Sequence, residues 1–372
     1  MGAKELIKKL AKDNAKEHFE IFGDSKLTNI DEWISTGSYS FNKVISGSYF
    51  RGIPHGRVTG LAGESGVGKS FMCGQIIREA QNAGYLVVVF DSESSIDKGF
   101  LERIGVDIDS ILFKSITTVN EFKTSTTNIL KNIFTEDPNQ KTLIVMDSLG
   151  NLTTEKELND ADTGNTAQDM GLRAKQLKSA SRVLTNAIAR YNAAMLVTNH
   201  TYEQPAQNPM AAPKPVFSGG TGFIYVCSTI VFLKKYAQKE DQKQLSDGKN
   251  KKVITTNKIV ATTGKNRFVR EGLSGDMLLS FKHGLHKWYG LLEDALDHGF
   301  FEKQSTRIYV KHLDKKFFAS KIYSDSEIWE PILNDLNTAV EKETAFSSMT
   351  SEGDMLEDLA AEDLEENVET EE

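Results

Sequence analysis

Short apolar runs alternate along the chain with longer segments in which apolar residues recur every three or four positions. The short runs are typical of buried strands and the longer segments of amphipathic helices. Near-continuous apolar strands between helices predict a parallel sheet covered on both faces, so the fold class is α/β. The predicted strands cover 57–62, 86–90, 111–114, 143–146 and 194–198, and the predicted helices cover 70–83, 96–104, 119–133 and 167–191.

The pattern changes after residue 220. Three further apolar segments, 228–233, 253–261 and 277–281, predict an antiparallel extension of the sheet. A polar insert at 238–252 separates the first two segments, and we expect an exposed hairpin loop there.

The two ends of the chain differ from this core. Leu6, Ile7 and Leu10 recur at helical spacing, which predicts a short amphipathic helix that packs on its own domain or on a neighbouring subunit. We therefore divide the chain into an N-terminal helical oligomerisation segment (1–30), an ATPase-like core (31–285), a small C-terminal subdomain (286–345) and an acidic tail (346–372).

Charge is unevenly distributed. Residues 352–372 hold eleven acids and no base, so the formal net charge of −8 becomes +3 when this segment is removed. Such a tail is typical of disordered segments. It either keeps the protein in solution or competes with nucleic acid for a basic surface, and composition does not decide between the two.

The remaining bulk features indicate a cytoplasmic protein with no membrane partner. No apolar run approaches the length of a membrane span, and the N-terminus has no apolar leader segment. Cys73 and Cys227 lie in apolar segments and are expected to be buried thiols.

One octet carries the clearest chemistry. It fits the phosphate-binding pattern G-x-x-x-x-G-K-[ST] and follows a predicted strand and precedes a predicted helix. Its glycines let backbone N–H groups point inward, its lysine reaches the β and γ phosphates, and its serine offers a hydroxyl to Mg²⁺. These nucleotide-binding residues are Gly63, Glu64, Ser65, Gly66, Val67, Gly68, Lys69 and Ser70. ATP and Mg²⁺ are therefore the expected cofactors.

Two acidic positions follow apolar strands. Asp147 ends one of them, where a carboxylate is expected to hold Mg²⁺ through water. Glu93 follows another and can orient and deprotonate an attacking water, with Asp91 in a supporting role.

A polar pair and two irregular segments are predicted near the γ-phosphate. Asn199 and His200 end a strand, and His200 can report the phosphate to the loop 201–220. That loop holds four of the seven prolines, with Lys214 as a charge and Phe217 as a stacking ring. A second irregular segment is expected at 153–166.

A basic stripe lies on the helix between these segments. Lys175, Lys178 and Arg182 are spaced to share one helix face, and Arg173 is close by. A charged helix face is usually only solvated. Beside two loops and a phosphate sensor, however, it suggests a track for a nucleic-acid backbone.

These features together resemble the RecA-type strand-exchange recombinases, and within that family the bacteriophage, UvsX-type form. The resemblance covers about residues 31–295 and is carried by 35–38, 52–57, 63–70, 90–107, 147–152, 199–203 and 219–222. It implies a DNA-dependent ATPase that forms helical filaments on single-stranded DNA and catalyses homologous pairing and strand exchange with double-stranded DNA. The implied partners are DNA, further copies of the chain, and mediator and single-strand-binding proteins, in the cytoplasm of a bacterium or a phage-infected host.

The resemblance also implies roles for individual residues. Glu93 would be the catalytic base, and Asp97 and Phe100 would flank the adenine. Lys265 and Arg267 would reach across a subunit interface to the γ-phosphate, and the N-terminal helix would dock on the next subunit. The segments 153–166 and 201–218 would bind DNA. The DNA-contacting residues implied by the resemblance or predicted from the loops are Met170, Arg173, Lys175, Lys178, Arg182, Lys214, Phe217, Gly219 and Gly220.

Two other functions stay open on the sequence. A hexameric RecA-fold DNA helicase would share the phosphate-binding loop and the cations supplied by a neighbour, although the N-terminal helix and acidic tail fit it less well. A non-catalytic filament or mediator protein would bind ATP only as a structural ligand. Glu93 argues against that function, because a pure binding protein needs no base.

Overall fold

One large sheet organises the chain in the computed structural model, which describes residues 2–14, 19, 21–24, 30–94, 96–164, 171–204, 214–217, 221–244 and 250–346. Its strands are β3 (Val58–Gly63), β4 (Leu86–Asp91), β5 (Ile111–Ser115), β6 (Thr142–Asp147), β7 (Ala193–Gln204), β8 (Lys214–Phe217), β9 (Thr229–Gln244), β10 (Asn250–Asn266), β11 (Ser274–Ser280) and β12 (Gly284–Leu285). The short strands β1 (Trp33–Ile34) and β2 (Ile53–Pro54) form a separate pair.

The strand order confirms the predicted α/β fold. Six strands run parallel in the order β5–β4–β6–β7–β3–β9, and β10, β11 and β12 extend the sheet antiparallel beyond β9. Parallel strands need crossover connections, and helices supply them here. The carboxyl ends of β3, β4, β6 and β7 consequently meet at one edge of the sheet.

Helices cover both faces of this sheet. The helices described along the chain are α1 (Ala3–Asp13), α2 (Tyr39–Ser46), α3 (Lys69–Asn82), α4 (Lys98–Arg103), α5 (Val119–Glu136), α6 (Glu155–Thr163), α7 (Leu172–Arg190) and α8 (Thr221–Ile224), followed by α9 (Leu292–Asp297), α10 (Ala319–Ser324), α11 (Ser326–Trp329) and α12 (Leu333–Thr344). Side chains alternate across a strand, so Val87 packs in the core cluster of α3 and Val88 packs with α5 and α7. Among the described residues, no helix has both the length and the apolar character that a membrane span requires.

A third buried cluster lies after the main sheet. It includes Trp288, Leu291 and Trp329 and packs around the three-stranded sheet of β13 (Phe301–Gln304), β14 (Arg307–Val310) and β15 (Lys315–Phe317). Asn337 joins this cluster to the segment after α2, because its Oδ1 accepts hydrogen bonds from the Ser48 hydroxyl at 3.0 Å and the Tyr49 N–H at 2.7 Å. The division of the chain at residue 286 stays a prediction, because this cluster also includes Tyr49 from the segment after α2.

The prediction of an irregular segment at 153–166 was wrong. Helix α6 occupies most of it, and a capping box starts the helix. The Thr154 hydroxyl accepts a bond from the Glu157 N–H at 3.1 Å, and the Glu157 carboxylate accepts the Thr154 N–H at 2.7 Å. Gly164 ends the helix at a φ of 68°. The signal Thr-x-x-Glu was present in the sequence.

Two predicted loops are also shorter than expected. Strand β9 continues to Gln244 and β10 begins at Asn250, so strand pairing extends through most of the polar insert 238–252. Strand β7 continues to Gln204 and pairs antiparallel with β8, which closes the base of the predicted loop 201–220. The central part of that loop, 205–213, lies outside the described residues.

Candidate functional site

The octet forms a tight turn at the carboxyl edge of the sheet. Strand β3 ends at Gly63 and α3 begins at Lys69, as the motif predicts. Gly66 and Gly68 have φ values of 73° and 109°, a region that side chains with a Cβ rarely adopt. At Gly63 an added Cβ would lie 2.7 Å from the carbonyl oxygen of Leu233. These positions explain the glycines by backbone geometry.

Lys69 is buried inside this turn. Its Nζ donates hydrogen bonds to the carbonyl oxygens of Gly63 at 2.8 Å and Glu64 at 2.9 Å. Burial lowers the pKa of the ammonium, whereas the negative charges of Asp147 and Glu93 act in the opposite direction. The two carboxylates therefore lie close enough to stabilise the charged lysine. A phosphate that entered the loop would offer Lys69 stronger acceptors than the two carbonyls.

Asp147 ends β6 directly beside Asp91, which ends β4. Its carboxylate is buried, and Oδ1 accepts a short hydrogen bond from the Thr198 hydroxyl. The Asp147–Ser148 peptide bond is cis. Ser70 lies in the first turn of α3 and contributes a hydroxyl. One carboxylate and one hydroxyl fit Mg²⁺, which takes few protein ligands and keeps several waters.

Glu93 is held in a defined position by the turn after β4. The Asp91 carboxylate accepts hydrogen bonds from the N–H groups of Glu93 at 2.8 Å and Ile96 at 3.3 Å. This geometry is the supporting arrangement expected of Asp91.

Both side-chain contacts of Glu93 involve the same carboxylate oxygen, Oε1. The Ser148 hydroxyl donates to it, and His200 Nε2 lies 3.0 Å from it. Burial alone would raise the pKa of Glu93, but the bonds from Ser148 and His200, together with the charges of His200 and Lys69, lower it. Glu93 is therefore ionised at neutral pH, as a general base must be.

His200 links the octet to Glu93. In the register of β3 and β7 it pairs with Gly63, and its ring contacts Glu93. The adjacent Asn199 is buried and accepts the His200 N–H through Oδ1 at 2.9 Å. Because β7 continues from His200 to Gln204, the site and the loop 201–220 share one strand.

Phe100 lies against α3, and Asp97 precedes it at the start of α4. Asp97 caps α4 by accepting the Phe100 N–H at 2.7 Å. The ring of Phe100 packs on the ring of Phe71, the residue that follows Ser70, and the two ring centroids are 4.9 Å apart. An apolar ring therefore borders the helix that follows the octet.

The predicted DNA-contacting residues have different environments. Lys175, Lys178 and Arg182 are exposed on α7. Arg173 instead donates to the carbonyl oxygens of Leu152 at 2.6 Å, Leu149 at 3.2 Å and Gly150, so contact with DNA would compete with these bonds. Lys214 begins β8. Met170, Gly219 and Gly220 lie outside the described residues.

Phe217 does not offer a stacking ring. It is 1% exposed and packs in the cluster of α5 and α7, where its ring lies against the backbone of Gly60. The prediction that it stacks on bases is therefore corrected. Its burial anchors the end of β8 to the core.

Lys265 and Arg267 lie at the opposite end of β3 from the octet. Lys265 pairs with Ile230 in β9, and Thr229 pairs with Thr59 near the start of β3. The four residue-to-residue steps from Thr59 to Gly63 span roughly 13 Å along the strand. Lys265 Nζ donates to the carbonyls of Ile224 at 2.7 Å and Tyr225 at 3.1 Å, and Arg267 donates to Tyr225 at 2.9 Å.

Sequence reasoning missed two hydroxyl residues of the site. Ser148 contacts Glu93, and Thr198 contacts Asp147. Ser148 directly follows the predicted acid Asp147, and Thr198 directly precedes the predicted polar pair Asn199 and His200. Their partners are distant along the chain, so spacing alone could not pair them.

The fold and the site define a class of protein: a P-loop protein with acids at the carboxyl ends of two further parallel strands of the same sheet. The chain belongs to the RecA family, since the RecA N-terminal domain matches residues 3–268. The resemblance found in the sequence is confirmed.

Individual relatives support the same placement. The Recombination and repair protein of Enterobacteria phage T4 is 27% identical over 325 residues, which cover 83% of this chain and 77% of the phage protein. Protein RecA of Chloroherpeton thalassium is 25% identical over 328 residues and 86% of each chain. Protein RecA of Helicobacter pylori is 26% identical over 294 residues, or 78% of this chain and 79% of that protein.

Proposed function

We propose that this chain is an ATP-dependent recombinase that assembles on single-stranded DNA and pairs it with homologous double-stranded DNA. The observation that carries the proposal is the convergence of Lys69, Glu93 and His200 at one sheet edge of a RecA-family chain. The relative in phage T4 is a recombination and repair protein by name. We further propose that the chain acts in the cytoplasm of a bacterium or an infected host, with mediator and single-strand-binding proteins as partners.

ATP hydrolysis follows from the geometry of the edge. The turn 63–70 would cradle the β and γ phosphates, with Lys69 leaving its two carbonyl partners to contact them. Glu93, ionised and fixed through Oε1, would accept a proton from the attacking water through its other oxygen. Mg²⁺ held by Ser70 and, through water, by Asp147 would neutralise charge on the phosphates.

DNA contact follows from the stripe on α7 and the loop after β7. The exposed cations Lys175, Lys178 and Arg182 suit a phosphate backbone. We propose that His200 exchanges Glu93 for the γ-phosphate when nucleotide binds. Because β7 is continuous from His200 to Gln204, that exchange would alter the loop 205–213 through one rigid strand. Asp97 and Phe100 would border the adenine.

A second copy of the chain would complete the site. Lys265 and Arg267 lie beside the start of β3, whereas the octet lies at its end. Their side chains are therefore too far from the octet of their own subunit to contact a phosphate there. We propose that they reach the γ-phosphate bound by a neighbour, as in-trans cations. A head-to-tail contact of this kind repeats into an open helix.

Two exposed apolar surfaces of the chain suit a contact between neighbouring copies. Leu6, Ile7 and Leu10 of α1 are exposed, as are Leu112 and Phe113 of β5, the end strand of the described sheet. An exposed apolar edge strand is a docking surface. We propose that α1 of one copy docks beside β5 of the next.

The test is ATP hydrolysis with and without single-stranded DNA, with Lys69→Ala as the blank. We expect turnover that single strands stimulate strongly and that the variant lacks. Hydrolysis indifferent to DNA would favour another RecA-fold motor. Absence of hydrolysis with nucleotide binding retained would favour an ATP-binding scaffold.

A further inference from the structure

A third cation lies beside Lys265 and Arg267. Arg57 immediately precedes β3, and the carbonyl of the next residue, Val58, accepts the Ser228 N–H at 2.8 Å. The Ser228 carbonyl accepts the Arg267 N–H at 3.0 Å. Two successive backbone bonds therefore bring Arg57 and Arg267 to the same edge of the sheet, opposite the octet.

The charge of Arg267 acts on both of the other cations. Burial lowers the pKa of the Arg57 guanidinium, and the positive charge of Arg267 lowers it further. Burial also lowers the pKa of Lys265, and Arg267 adds to that effect, while Cys227 and Glu271 act in the opposite direction. Like charges gathered at a partly buried edge destabilise the charged forms, and a bound anion relieves this.

The partners of Lys265 and Arg267 do not supply that anion. Their side chains donate to the neutral carbonyls of Ile224 and Tyr225, and neither forms an ion pair within the described part of the chain. Within the described residues, Lys265 and Arg267 therefore place positive charge at this edge of the sheet without a carboxylate that pairs with either side chain. A polyphosphate presented by a neighbouring copy has the charge that such a cluster would bind.

We propose that Arg57 is a third in-trans cation, which contacts the triphosphate held by the P-loop of a neighbouring copy. The inference rests on the proposed function, because it requires the head-to-tail interface described above. A guanidinium has five N–H donors in a fork that matches phosphate.

The test compares single variants with mixtures. We expect Arg57→Gln to lower DNA-stimulated turnover by roughly 10- to 100-fold, since a charge supplied in trans to a γ-phosphate has effects of this order or larger. The DNA-stimulated turnover of Arg57→Lys should lie between that of Arg57→Gln and that of the parent protein. Arg51→Gln, a matched change at an exposed arginine outside the cluster, should keep the parent rate.

Mixing then separates a role in trans from a role in the fold. Glu93→Gln filaments lack the base but keep the cation edge, whereas Arg57→Gln filaments keep the base. An equal mixture restores a complete site at about a quarter of head-to-tail interfaces, so turnover should recover toward that fraction. Mixed assembly is verified by co-sedimentation of the two differently labelled variants.

Every result of the mixing experiment either supports or contradicts the role of Arg57 in trans. Recovery with Arg57→Gln supports the proposal. Recovery with Lys265→Ala but none with Arg57→Gln overturns it and assigns Arg57 to its own subunit. Recovery with neither variant, in filaments shown to be mixed, overturns the in-trans site as a whole. A parent protein without DNA-stimulated turnover is the distinct result that contradicts the proposed function.

Discussion

The carboxylate of Glu93 is held through one oxygen, which leaves the other to act on water. We predict that Glu93→Gln lowers the turnover number by roughly 10²- to 10⁴-fold, the range typical of a general base. Binding of single-stranded DNA in the presence of ATP should be unchanged, because the amide preserves shape. Steady-state turnover and fluorescence anisotropy measure the two effects.

Glu102→Gln is the matched control, since Glu102 is an exposed acid on α4. It should leave both quantities at the parent values. Turnover that survives in Glu93→Gln would show that another group takes the proton.

Ser148 determines part of the acid–base behaviour of Glu93. Its hydroxyl stabilises the ionised carboxylate and so contributes to the lowered pKa. Turnover needs the ionised form and is lost as pH falls through this pKa. Removing the donor in Ser148→Ala raises the pKa, so the acid limb of the pH–rate profile should move to higher pH.

A double variant checks that the effect acts through Glu93. In a Glu93→Gln background, Ser148→Ala should change residual turnover little. An acid limb at the same pH in Ser148→Ala and in the parent would mean that the contact does not affect the base.

What the sequence could predict at the site depended on distance along the chain. The octet is contiguous, so its strand, turn and helix follow from local geometry. The contacts of Glu93 with Ser148 and His200 join positions 55 and 107 residues apart, and only the strand order brings them together. The position of Arg57 beside Arg267 has the same origin.

Elements were predictable where one periodicity dominated. The residues of β4 and β6 are apolar on both faces of the strand, whereas helix α5 between them has a single apolar stripe. Helix α6 has no buried residue, so its sequence lacks that stripe although its capping box was readable. The burial of Phe217 depends on β8 pairing with β7, which composition cannot show.

Helix α2 contacts the residues after 286 through an ion pair whose two side chains are only 11% and 15% exposed. Lys43 Nζ lies 2.8 Å from both carboxylate oxygens of Asp294, and the Tyr49 hydroxyl donates to the same group at 2.6 Å. Breaking a buried pair leaves an uncompensated charge. We predict that Lys43→Met and Asp294→Asn each lower the free energy of unfolding by about 3 kcal/mol.

Urea unfolding of the single and double variants measures the coupling. The double variant leaves no isolated charge, and the amide oxygen introduced by Asp294→Asn would still accept the Tyr49 hydroxyl. The loss of stability in the double variant should therefore be smaller than the sum of the two single losses. Additive losses would show that the pair contributes no interaction energy across this junction.

Assembly of the whole molecule depends, in our proposal, on the apolar face of α1. We predict that Leu6→Glu with Leu10→Glu abolishes nucleotide-dependent assembly on single-stranded DNA, because charge cannot enter an apolar contact beside β5. Light scattering and sedimentation measure assembly. The unfolding free energy should be unchanged, since both side chains are about half exposed in the single chain.

The matched control is Lys8→Gln, which changes the net charge by the same amount as one Leu→Glu substitution but lies on the opposite side of α1. It should assemble as the parent does. Equal assembly by the leucine variants would place the subunit contact elsewhere.

The acidic tail is the last feature of the whole molecule, and it lies outside the described residues. Its eleven acids stand against a remainder of +3. If the tail occupies the basic surface on α7, deleting 352–372 should strengthen binding to single-stranded DNA most at low salt. The difference from the parent should shrink as added salt shortens the screening length to about 8–10 Å.

Replacing the eleven acids with their amides keeps the length and removes the charge, so it should act as the deletion does. Fluorescence anisotropy across a salt titration measures all three chains. Equal affinities at every salt concentration would leave the tail no role at the DNA surface, and solubility would then be its remaining function.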